Sequence, residues 1–202
     1  MGRWEPNARG RLEQAALELY VERGYEQTTV AEITARAGLT ERTFFRHFAD
    51  KREVLFGGTG TLAELCVNAV AAAPATATAL EATAAALDAA AGVFEERGDL
   101  VLQRQGVIDA NAELRERELI KLASLSESLA DALRERGVDE LAARLAAEAA
   151  IAVLKVAFRR WVDGDRRPRL RQLLDECFEV LRTESPQSLI NKTQTPRKPP
   201  IA

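Results

Sequence analysis

The sequence predicts an all-α protein, and its composition, proline placement and apolar spacing each favour that class. Hydrophobic residues make up 47% of the 202 residues, and leucine and alanine dominate over the β-branched residues that favour strands. Most of the seven prolines lie near the chain ends or between predicted helices, which leaves the interior free for long helices. At this length the chain can hold one large domain or a small domain plus a mid-sized one.

The first predicted helix covers residues 7–23 and ends at a glycine. Its buried stripe has the spacing of one helical face and consists of Leu12, Ala15, Ala16 and Leu19. Gly24, followed by the apolar Tyr25, indicates a left-handed C-cap. A second helix then follows, because the Thr29 hydroxyl and the Glu32 carboxylate can cap its start reciprocally, as a capping box.

The second and third helices predict a helix-turn-helix over about residues 28–48. Gly38 allows the turn between them, and the residues expected to pack the pair together are Ile33, Ala37, Leu39 and Phe44. Thr40 can cap the third helix. Its polar face can enter the major groove of DNA and carries Thr40, Arg42, Thr43 and Arg46. The whole chain has a net charge of −3, so the basic segment 36–52 would be a local DNA-binding surface within an acidic protein.

Beyond residue 53 the pattern changes to long amphipathic helices. We expect these over residues 50–73, 77–97, 99–109, 111–136, 139–163 and 168–183, with breaks at Gly98, Gly137 and Gly164. The segment 185–202 is rich in Pro, Thr, Gln and Lys, which is typical of a disordered tail. The chain therefore divides into a helix-turn-helix domain at 1–53, a second helical domain at 54–184 and a tail at 185–202.

The sequence disfavours enzymes, metalloproteins and membrane proteins. Cys66 and Cys177 have neither metal-ligand nor disulfide spacing, as is usual in a reducing cytoplasm. His47 is the sole histidine, and no nucleophile–base pair or ligand cluster surrounds it, so we expect no catalytic residue, no metal and no cofactor. No signal-peptide pattern opens the chain, and the uncharged stretch 65–80 is too short to span a bilayer. We therefore expect a cytoplasmic protein without membrane contact.

The N-terminal segment resembles the TetR/AcrR family of regulators over about residues 9–56. The resemblance is carried by Gly24-Tyr, Thr28-Thr-Val, Ala37-Gly-Leu-Thr and the run Thr43-Phe-Phe-Arg-His-Phe-Ala-Asp-Lys51. It implies an N-terminal three-helix DNA-binding domain and a C-terminal helical domain that dimerises and binds an effector. By position it implies DNA contacts from Thr28, Thr29, Thr40, Arg42, Thr43, Phe45, Arg46, His47 and Lys51.

Within that set the resemblance implies different roles. Thr29, His47 and Lys51 would contact phosphates, whereas the groove-facing residues would be Arg42, Thr43 and Arg46. The family often has tyrosine where Phe45 stands, so a phosphate contact through that hydroxyl is absent and ring packing remains.

The function that the resemblance implies is a ligand-responsive transcriptional regulator, usually a repressor. It would bind a near-palindromic operator as a homodimer and be released by a small-molecule effector. Two alternatives stay open: a DNA-binding regulator that answers to a protein partner or to nothing, and an enzyme or helical scaffold that retains the motif by descent.

Gly57, Gly58 and Gly60 would weaken the helix that joins the domains, which suggests a hinge.

Two apolar stripes are candidates for the dimer interface, although either could face its own core. One stripe consists of Leu141, Leu145, Ala149, Ala152 and Val156. The other consists of Leu170, Leu173, Leu174, Cys177, Phe178 and Leu181.

The effector site is harder to locate in the sequence. Leu100, Arg104 and Ile108 share one helical face. There Arg104 would be either an anchor for an anionic head group or a structural ion pair. Leu154, Phe158 and Trp161 form a second face that could wall an apolar cavity, with core packing as the alternative. The sequence thus predicts an effector that is apolar or has an anionic head group.

Overall fold

A computed structural model describes residues 7–164 and 169–183, which form nine α-helices and one 3-10 helix without a strand. The predicted all-α class is confirmed. The helices are α1 (Ala8–Arg23), α2 (Val30–Ala37), α3 (Glu41–His47), the 3-10 helix η1 (Glu53–Phe56), α4 (Thr59–Ala72), α5 (Ala79–Glu96), α6 (Gly98–Ala110), α7 (Ala112–Glu135), α8 (Glu140–Asp163) and α9 (Leu170–Thr183). The predicted tail lies outside the described residues.

The segment 50–73, expected to be one helix, is interrupted. Asp50 caps its start, since Oδ1 accepts from the backbone N–H of Arg52 at 2.8 Å and of Glu53 at 3.1 Å. Only η1 follows, however, and α4 begins at Thr59. The prediction of a continuous helix is therefore wrong, because the closely spaced glycines at 57, 58 and 60 stabilise helical backbone too weakly to continue it.

These glycines adopt ordinary backbone angles rather than angles reserved for glycine. Gly57 has φ −57° and ψ −32°, and Gly58 has φ −81° and ψ −6°, both near the right-handed helical region. A Cβ at Gly58 or Gly60 would face open space, whereas one at Gly57 would collide with the Glu13 carboxylate and lie 3.1 Å from the Phe48 ring. Of these three glycines, only Gly57 has close neighbours that a larger residue would displace, namely the movable Glu13 carboxylate and the Phe48 ring.

Two apolar cores organise the chain. The N-terminal core gathers the inward faces of α1, α2 and α3 around the fully buried Ile33 and Phe44. It continues past residue 53, because residues 54–56 of η1 pack into it, together with Ile108 and Leu114 from α6 and α7. The N-terminal core is thus closed by residues from the second half of the chain, so a shift of α6 or α7 would change the packing directly beneath the helix-turn-helix.

The larger core lies between α4, α5, α7, α8 and α9. Leu87 on α5 and Leu129 and Leu133 on α7 are fully buried there. Alanines such as Ala86 and Ala147 line the same core, and these small side chains allow close approach between helices. This core holds the C-terminal domain together independently of the N-terminal core.

The segment Glu53–Ala72 is long and apolar enough by composition to cross a membrane, with a mean hydropathy of 1.4. In the structure it comprises η1, the glycine break and α4 rather than one helix. Cys66 and Val70 of α4 are fully buried in the C-terminal core. The apolar character of α4 therefore has a use in packing within the protein.

One side chain ties the turn after α7 to the end of α4. The guanidinium of Arg136 donates to the backbone oxygens of Val70 at 2.9 Å, Ala73 at 2.8 Å and Pro74 at 2.7 Å. Carbonyl groups at a helix C-terminus lack partners within their own helix. Arg136 therefore caps α4 from a position far away in the sequence.

Replacing Arg136 with methionine is expected to lower the free energy of unfolding by about 2–4 kcal/mol, because hydrogen bonds from a charged donor contribute about 1.5–3 kcal/mol each and are not fully additive. In a protein of this size such a loss lowers Tm by roughly 5–15 °C in a thermal melt. Arg97→Met is the matched control, since the Arg97 side chain is exposed and makes no hydrogen bond or ion pair with the described residues. Equal losses in both variants would contradict the capping role.

Candidate DNA-binding surface

Two N-caps and one glycine set the relative position of α2 and α3. Thr29 Oγ1 accepts from the backbone N–H of Glu32 at 3.3 Å, and the Glu32 carboxylate accepts from the backbone N–H of Thr29 at 2.9 Å, which completes the predicted capping box. Thr40 Oγ1 accepts from the backbone N–H of Thr43 at 3.2 Å and begins α3. Between the caps, Gly38 has φ 64° and ψ 36°, the left-handed conformation that turns the chain.

Helix α1 holds this turn from behind. Arg11 donates to the backbone oxygen of Ala37, the last residue of α2. The two residues are 26 positions apart, so no local pattern in the sequence indicates the contact. Arg11 thereby fixes the angle between α1 and the helix-turn-helix.

The loop between α1 and α2 is held by two residues that the sequence assigned to DNA. Thr28 is 1% exposed, and its Oγ1 donates to the backbone oxygen of Gly24 at 2.8 Å. Lys51 Nζ donates to the backbone oxygens of Tyr25 at 2.9 Å and Thr28 at 3.1 Å. The predicted DNA contacts of Thr28 and Lys51 stay untested, but because both side chains already donate within the protein we expect neither to contact DNA.

Two tyrosines complete the setting of Lys51. Its ammonium lies 4.3 Å from the centre of the Tyr25 ring, and its backbone oxygen accepts from the Tyr20 hydroxyl at 2.7 Å. Burial raises the pKa of Tyr20 well above its ordinary value of 10.0, so this hydroxyl stays a donor at any physiological pH.

Gly24, which begins the loop, has φ 90° and ψ 155°, so the predicted left-handed helical C-cap is wrong in its ψ angle.

Replacing Lys51 with methionine is expected to destabilise the protein by about 2–3 kcal/mol through the lost charge-assisted hydrogen bonds. It should leave the salt dependence of DNA binding unchanged, whereas a lost phosphate contact would reduce the slope of log affinity against log salt by about 0.9 per contact. Thermal melts and a salt titration measure the two effects. Arg42→Gln is the matched comparison, and we expect the reverse pattern from it: unchanged stability and weakened DNA binding.

The outward face of α3 consists of Arg42 and Arg46. Successive residues lie about 100° apart around an α-helix, so these two arginines lie opposite Phe44, which is fully buried. Arg42 makes no hydrogen bond or ion pair with the described residues, and Arg46 Nη2 lies 3.5 Å from His47 Nε2. Both guanidinium groups are exposed and free to contact another molecule.

Other cations of the basic segment are neutralised by neighbouring acids. Arg36 donates to the Glu22 carboxylate at 2.8 and 2.9 Å, and this bond lowers the pKa of Glu22. Arg52 pairs with Asp50 at 2.5 Å and with Glu113 at 2.8 Å. Positive charge without an internal partner is therefore concentrated, over the described part of this segment, on the outward face of α3.

The remaining predicted contacts lie on the two flanks of that face. Thr43 and His47 lie on one flank, where the Thr43 hydroxyl is 3.1 Å from the Thr40 hydroxyl. Phe45 lies on the other flank and is 56% exposed. The predicted α3 residues therefore spread around the exposed side of the helix, with Phe45 and His47 on opposite flanks of the two arginines. The exposed Thr29 at the start of α2 lies outside that helix.

Four contacts tie this domain to α6 and α7 through η1 and the residue before it. Glu53 accepts from Lys121 Nζ at 3.0 Å and from Arg117. Arg52 contributes the bond to Glu113 described above, and Arg104 Nε donates to the backbone oxygen of Leu55 at 2.6 Å. We call these contacts the interdomain latch. No local pattern predicts these contacts, because their partners are about 50 to 70 positions apart in the chain.

Arg104 therefore has a structural position. Besides its bond to Leu55, its guanidinium lies 4.9 Å from the centre of the Phe56 ring and 3.9 Å from the Glu118 carboxylate. Burial lowers the pKa of Arg104, and the nearby Glu118 opposes that shift. The sequence left two roles open for Arg104, a structural ion pair and an anchor for an effector. These contacts fit the structural role and do not support the effector anchor.

Two further predicted effector residues do not share a site with Arg104. Ile108 is fully buried in the N-terminal core, whereas Leu100 is 43% exposed at the start of α6. Leu100 and Ile108 therefore have different surroundings, and the prediction that they line one wall of an effector site stays untested. Helical spacing correctly puts Leu100 and Ile108 on one face of α6. It does not show that the two ends of that face pack against different parts of the protein.

The second predicted group stays together. Leu154 and Trp161 are buried in the C-terminal core. The half-buried Phe158 lies between Trp161 and Phe94, with ring-centre distances of 5.8 and 5.5 Å. Phe94, Phe158 and Trp161 form what we call the aromatic cluster, at the meeting of α5 and α8.

A cavity of about 670 Å³ lies between the two domains. Its walls come from both sides of the latch and include Arg9, His47, Glu53, Glu64, Arg117 and Lys121. Charges of both signs line it, and several are paired across it, so it is a polar groove and differs from the apolar pocket that the sequence suggested.

The two stripes predicted for dimerisation have different surroundings. On α8, Leu141, Leu145 and Val156 are 66%, 62% and 54% exposed. On α9, by contrast, the residues packed into the chain's own core are Leu170, Leu173, Leu174 and Phe178. The α9 stripe is thus mostly core, and the prediction that it forms an interface is wrong for those four residues, while the α8 stripe leaves an apolar face uncovered.

Two family models match the chain. The first, described as bacterial regulatory proteins of the tetR family, matches residues 13–56, and the second, described as the MftR C-terminal domain, matches residues 64–186. The HTH-type transcriptional regulator TcmR of Streptomyces glaucescens is 42% identical over 67 residues, which are 33% of this chain and 30% of TcmR. The chain thus aligns with about a third of the length of that curated relative.

Solved structures share the fold. FadR from Bacillus subtilis, in complex with stearoyl-CoA, is 24% identical with a TM-score of 0.60, over 85% of this chain and 96% of that one. Thermus thermophilus FadR with lauroyl-CoA is 22% identical with a TM-score of 0.56, over 96% and 98%. The SmeT–triclosan complex is 20% identical with a TM-score of 0.60, over 86% and 90%. At these identities the likeness concerns the fold.

The family assignment rests on both halves of the chain. The helix-turn-helix seen in α2 and α3 lies within the first matched range, and the α4–α9 bundle fills the second, which alone exceeds half of the chain. This chain belongs to the TetR family of bacterial regulatory proteins.

Proposed function

We propose that the chain is an effector-responsive transcriptional repressor that binds a near-palindromic DNA operator in the cytoplasm. The observation that carries this proposal is the outward face of α3, where Arg42 and Arg46 are exposed and have no acidic partner among the described residues. Arginine forks match guanine edges in the major groove. Thr29 at the start of α2 and His47 at the end of α3 would add phosphate contacts.

The operator-binding form is a homodimer joined through α8. Leu141, Leu145 and Val156 leave an apolar face in water, and pairing that face with its symmetry mate removes it from solvent. The exposed Val180 and Leu181 of α9, 59% and 42% exposed, extend the same kind of surface. Two-fold symmetry in the protein then requires two-fold symmetry in the operator.

The effector is an apolar molecule that binds beside the aromatic cluster. Phe94 and Phe158 are only half-buried, so their rings offer apolar surface next to the C-terminal core. The solved structures similar to this chain hold stearoyl-CoA, lauroyl-CoA and triclosan, and each of these ligands has an apolar part, an acyl chain or chlorinated rings. An anionic head group on the effector would need a cation other than Arg104, which is occupied in the latch.

A selection experiment tests the proposal. The full chain is incubated with a random-sequence DNA duplex pool, and the bound duplexes are amplified and sequenced over several rounds. We expect a near-palindrome to be enriched, and a panel of acyl-CoA thioesters, fatty acids and chlorinated phenols to include a compound that raises Tm and releases the selected duplex. Failure to enrich any sequence would overturn DNA recognition. Enrichment without release by any compound would favour a regulator that answers to a protein partner.

The latch is expected to carry the effector signal to α3, and Glu53 is its centre. Burial by itself raises the pKa of the Glu53 carboxyl, but hydrogen bonds from Arg117 and Lys121 outweigh it and hold the pKa below its ordinary value of 4.5. A carboxyl whose pKa is depressed on folding contributes stability above its unfolded pKa and loses that contribution as pH falls through the folded value. The latch is therefore closed at neutral pH and weakens in acid.

Replacing Glu53 with glutamine is expected to lower the free energy of unfolding by about 1–3 kcal/mol at pH 7, because two cations lose a partly buried partner. In thermal melts the Tm difference between wild type and Glu53→Gln should shrink as pH falls from 4.5 through the depressed pKa of the folded state, and should vanish below that pKa, where the carboxyl is protonated in both states. Glu179→Gln is the control, since Glu179 is exposed and pairs with Arg182 within α9. A Tm difference that stays constant with pH would exclude the ionised latch.

A further inference from the structure

Phe45 is an exposed aromatic side chain placed beside the DNA-facing arginines. It is 56% exposed, although phenylalanine is among the residues that lose most from contact with water. Its position on α3 is about 100° from the buried Phe44 and about 60° from Arg42 around the helix. A helix that lies in the major groove with its arginines on the midline would direct this flank toward the edge of one DNA strand.

The ring of Phe45 is held in place before any DNA arrives. It meets the ring of Phe44 edge to face, with ring centres 5.3 Å apart and planes at 79°. Phe44 is itself fully buried and lies 5.6 Å from Phe48 in the N-terminal core. The exposed part of the Phe45 ring is therefore a fixed apolar surface, which a base edge can meet without ordering a mobile side chain.

The thymine methyl group is the apolar feature that the major groove offers. An apolar side chain that contacts this methyl group can distinguish an A·T pair from a G·C pair, whereas the other groups along the groove are hydrogen-bond donors and acceptors. Phe45 has no polar atom in its side chain and can read nothing else on a base edge. We propose that Phe45 recognises the methyl group of one thymine in each operator half-site, an inference that rests on the proposed DNA binding by α3.

The test replaces thymine by uracil, which removes only this methyl group. The operator is the duplex selected from the random pool, and uracil is introduced at symmetric thymines, one pair of positions at a time. Affinity is measured by fluorescence anisotropy for wild type, Phe45→Ala and Val21→Ala. Val21, on α1, is 53% exposed and is the matched control for loss of an exposed apolar side chain in the same domain.

At one symmetric pair of positions, we expect replacement of thymine by uracil to lower the operator affinity of wild type and of Val21→Ala. The loss should be about fourfold for each half-site, which is the effect of one buried methyl-sized group. Phe45→Ala should bind the thymine duplex about as weakly as wild type binds the uracil duplex, and should lose nothing further on uracil. The proposal is wrong if Phe45→Ala still binds the uracil duplex more weakly than the thymine duplex, by the same factor as wild type. It is also wrong if the selected operator has no fixed thymine. If the pool yields no operator, DNA recognition by this chain fails as a whole.

Discussion

Replacing Arg42 with alanine is expected to weaken operator binding by about 2–6 kcal/mol, or roughly 30-fold to 25,000-fold. An arginine that contacts a guanine edge contributes about 1–3 kcal/mol of discrimination, and a homodimer presents it twice. Arg42 has no internal partner among the described residues, so its loss should leave the fold unchanged. Anisotropy measurements on the selected operator and on a scrambled duplex measure the loss, which should be largest on the operator.

Arg36→Ala is the control for Arg42→Ala. Both substitutions remove one guanidinium from the same domain, but Arg36 is bound to Glu22 and Glu18 and faces α1. Since exposed ion pairs contribute about 0–1 kcal/mol to stability, this variant should keep both its fold and its operator affinity nearly intact. Equal losses from the two variants would mean that net charge alone governs binding, and the assignment of Arg42 to base recognition would be wrong.

Replacing Leu145 with aspartate is expected to convert the homodimer into monomers at micromolar concentration. Leu145 is 62% exposed in the isolated chain and lies in the middle of the apolar α8 face. Two such side chains lose about 1.5–3 kcal/mol each when they are no longer buried, and two carboxylates without partners would enter the interface. Together these raise the dimer dissociation constant by more than about a thousandfold.

Light scattering after size-exclusion chromatography measures this change directly. Val21→Asp is the control, because Val21 is a similarly exposed apolar residue on α1, outside the proposed interface. Operator affinity should fall with dimerisation, while affinity for a single half-site should not change. A Leu145→Asp chain that remains dimeric would place the interface elsewhere and would leave the exposed α8 face without an explanation.

Local features of the sequence were sufficient to predict most of the helices. The capping box of Thr29 with Glu32, the N-cap at Thr40 and the left-handed Gly38 all form as expected, since each depends on residues no more than four positions apart. The same is true of the polar face of α3. Its placement follows once one residue, Phe44, is known to point inward.

Predictions that depended on a neighbouring helix fared differently. The α8 and α9 stripes have the same kind of apolar spacing, yet α9 packs against its own chain and α8 leaves leucines in water. Spacing shows that a helix has an apolar face, but it does not show which other surface covers that face. Likewise, the charge of Lys51 suits a phosphate as well as it suits a backbone carbonyl, and only the position of the α1–α2 loop decides between them.

The sequence by itself therefore determined the fold class, the family resemblance and the polar outward face of α3, because these follow from local backbone and capping energetics and from a motif within about fifty residues. The tertiary structure alone decided which cations face outward, where the interdomain latch lies and which apolar stripe remains open. Each of these depends on pairs such as Glu53 with Lys121 or Arg136 with Val70, more than sixty positions apart. A charged or apolar side chain can pair with any suitable group that the fold places beside it, and the local sequence spacing does not indicate which group that is.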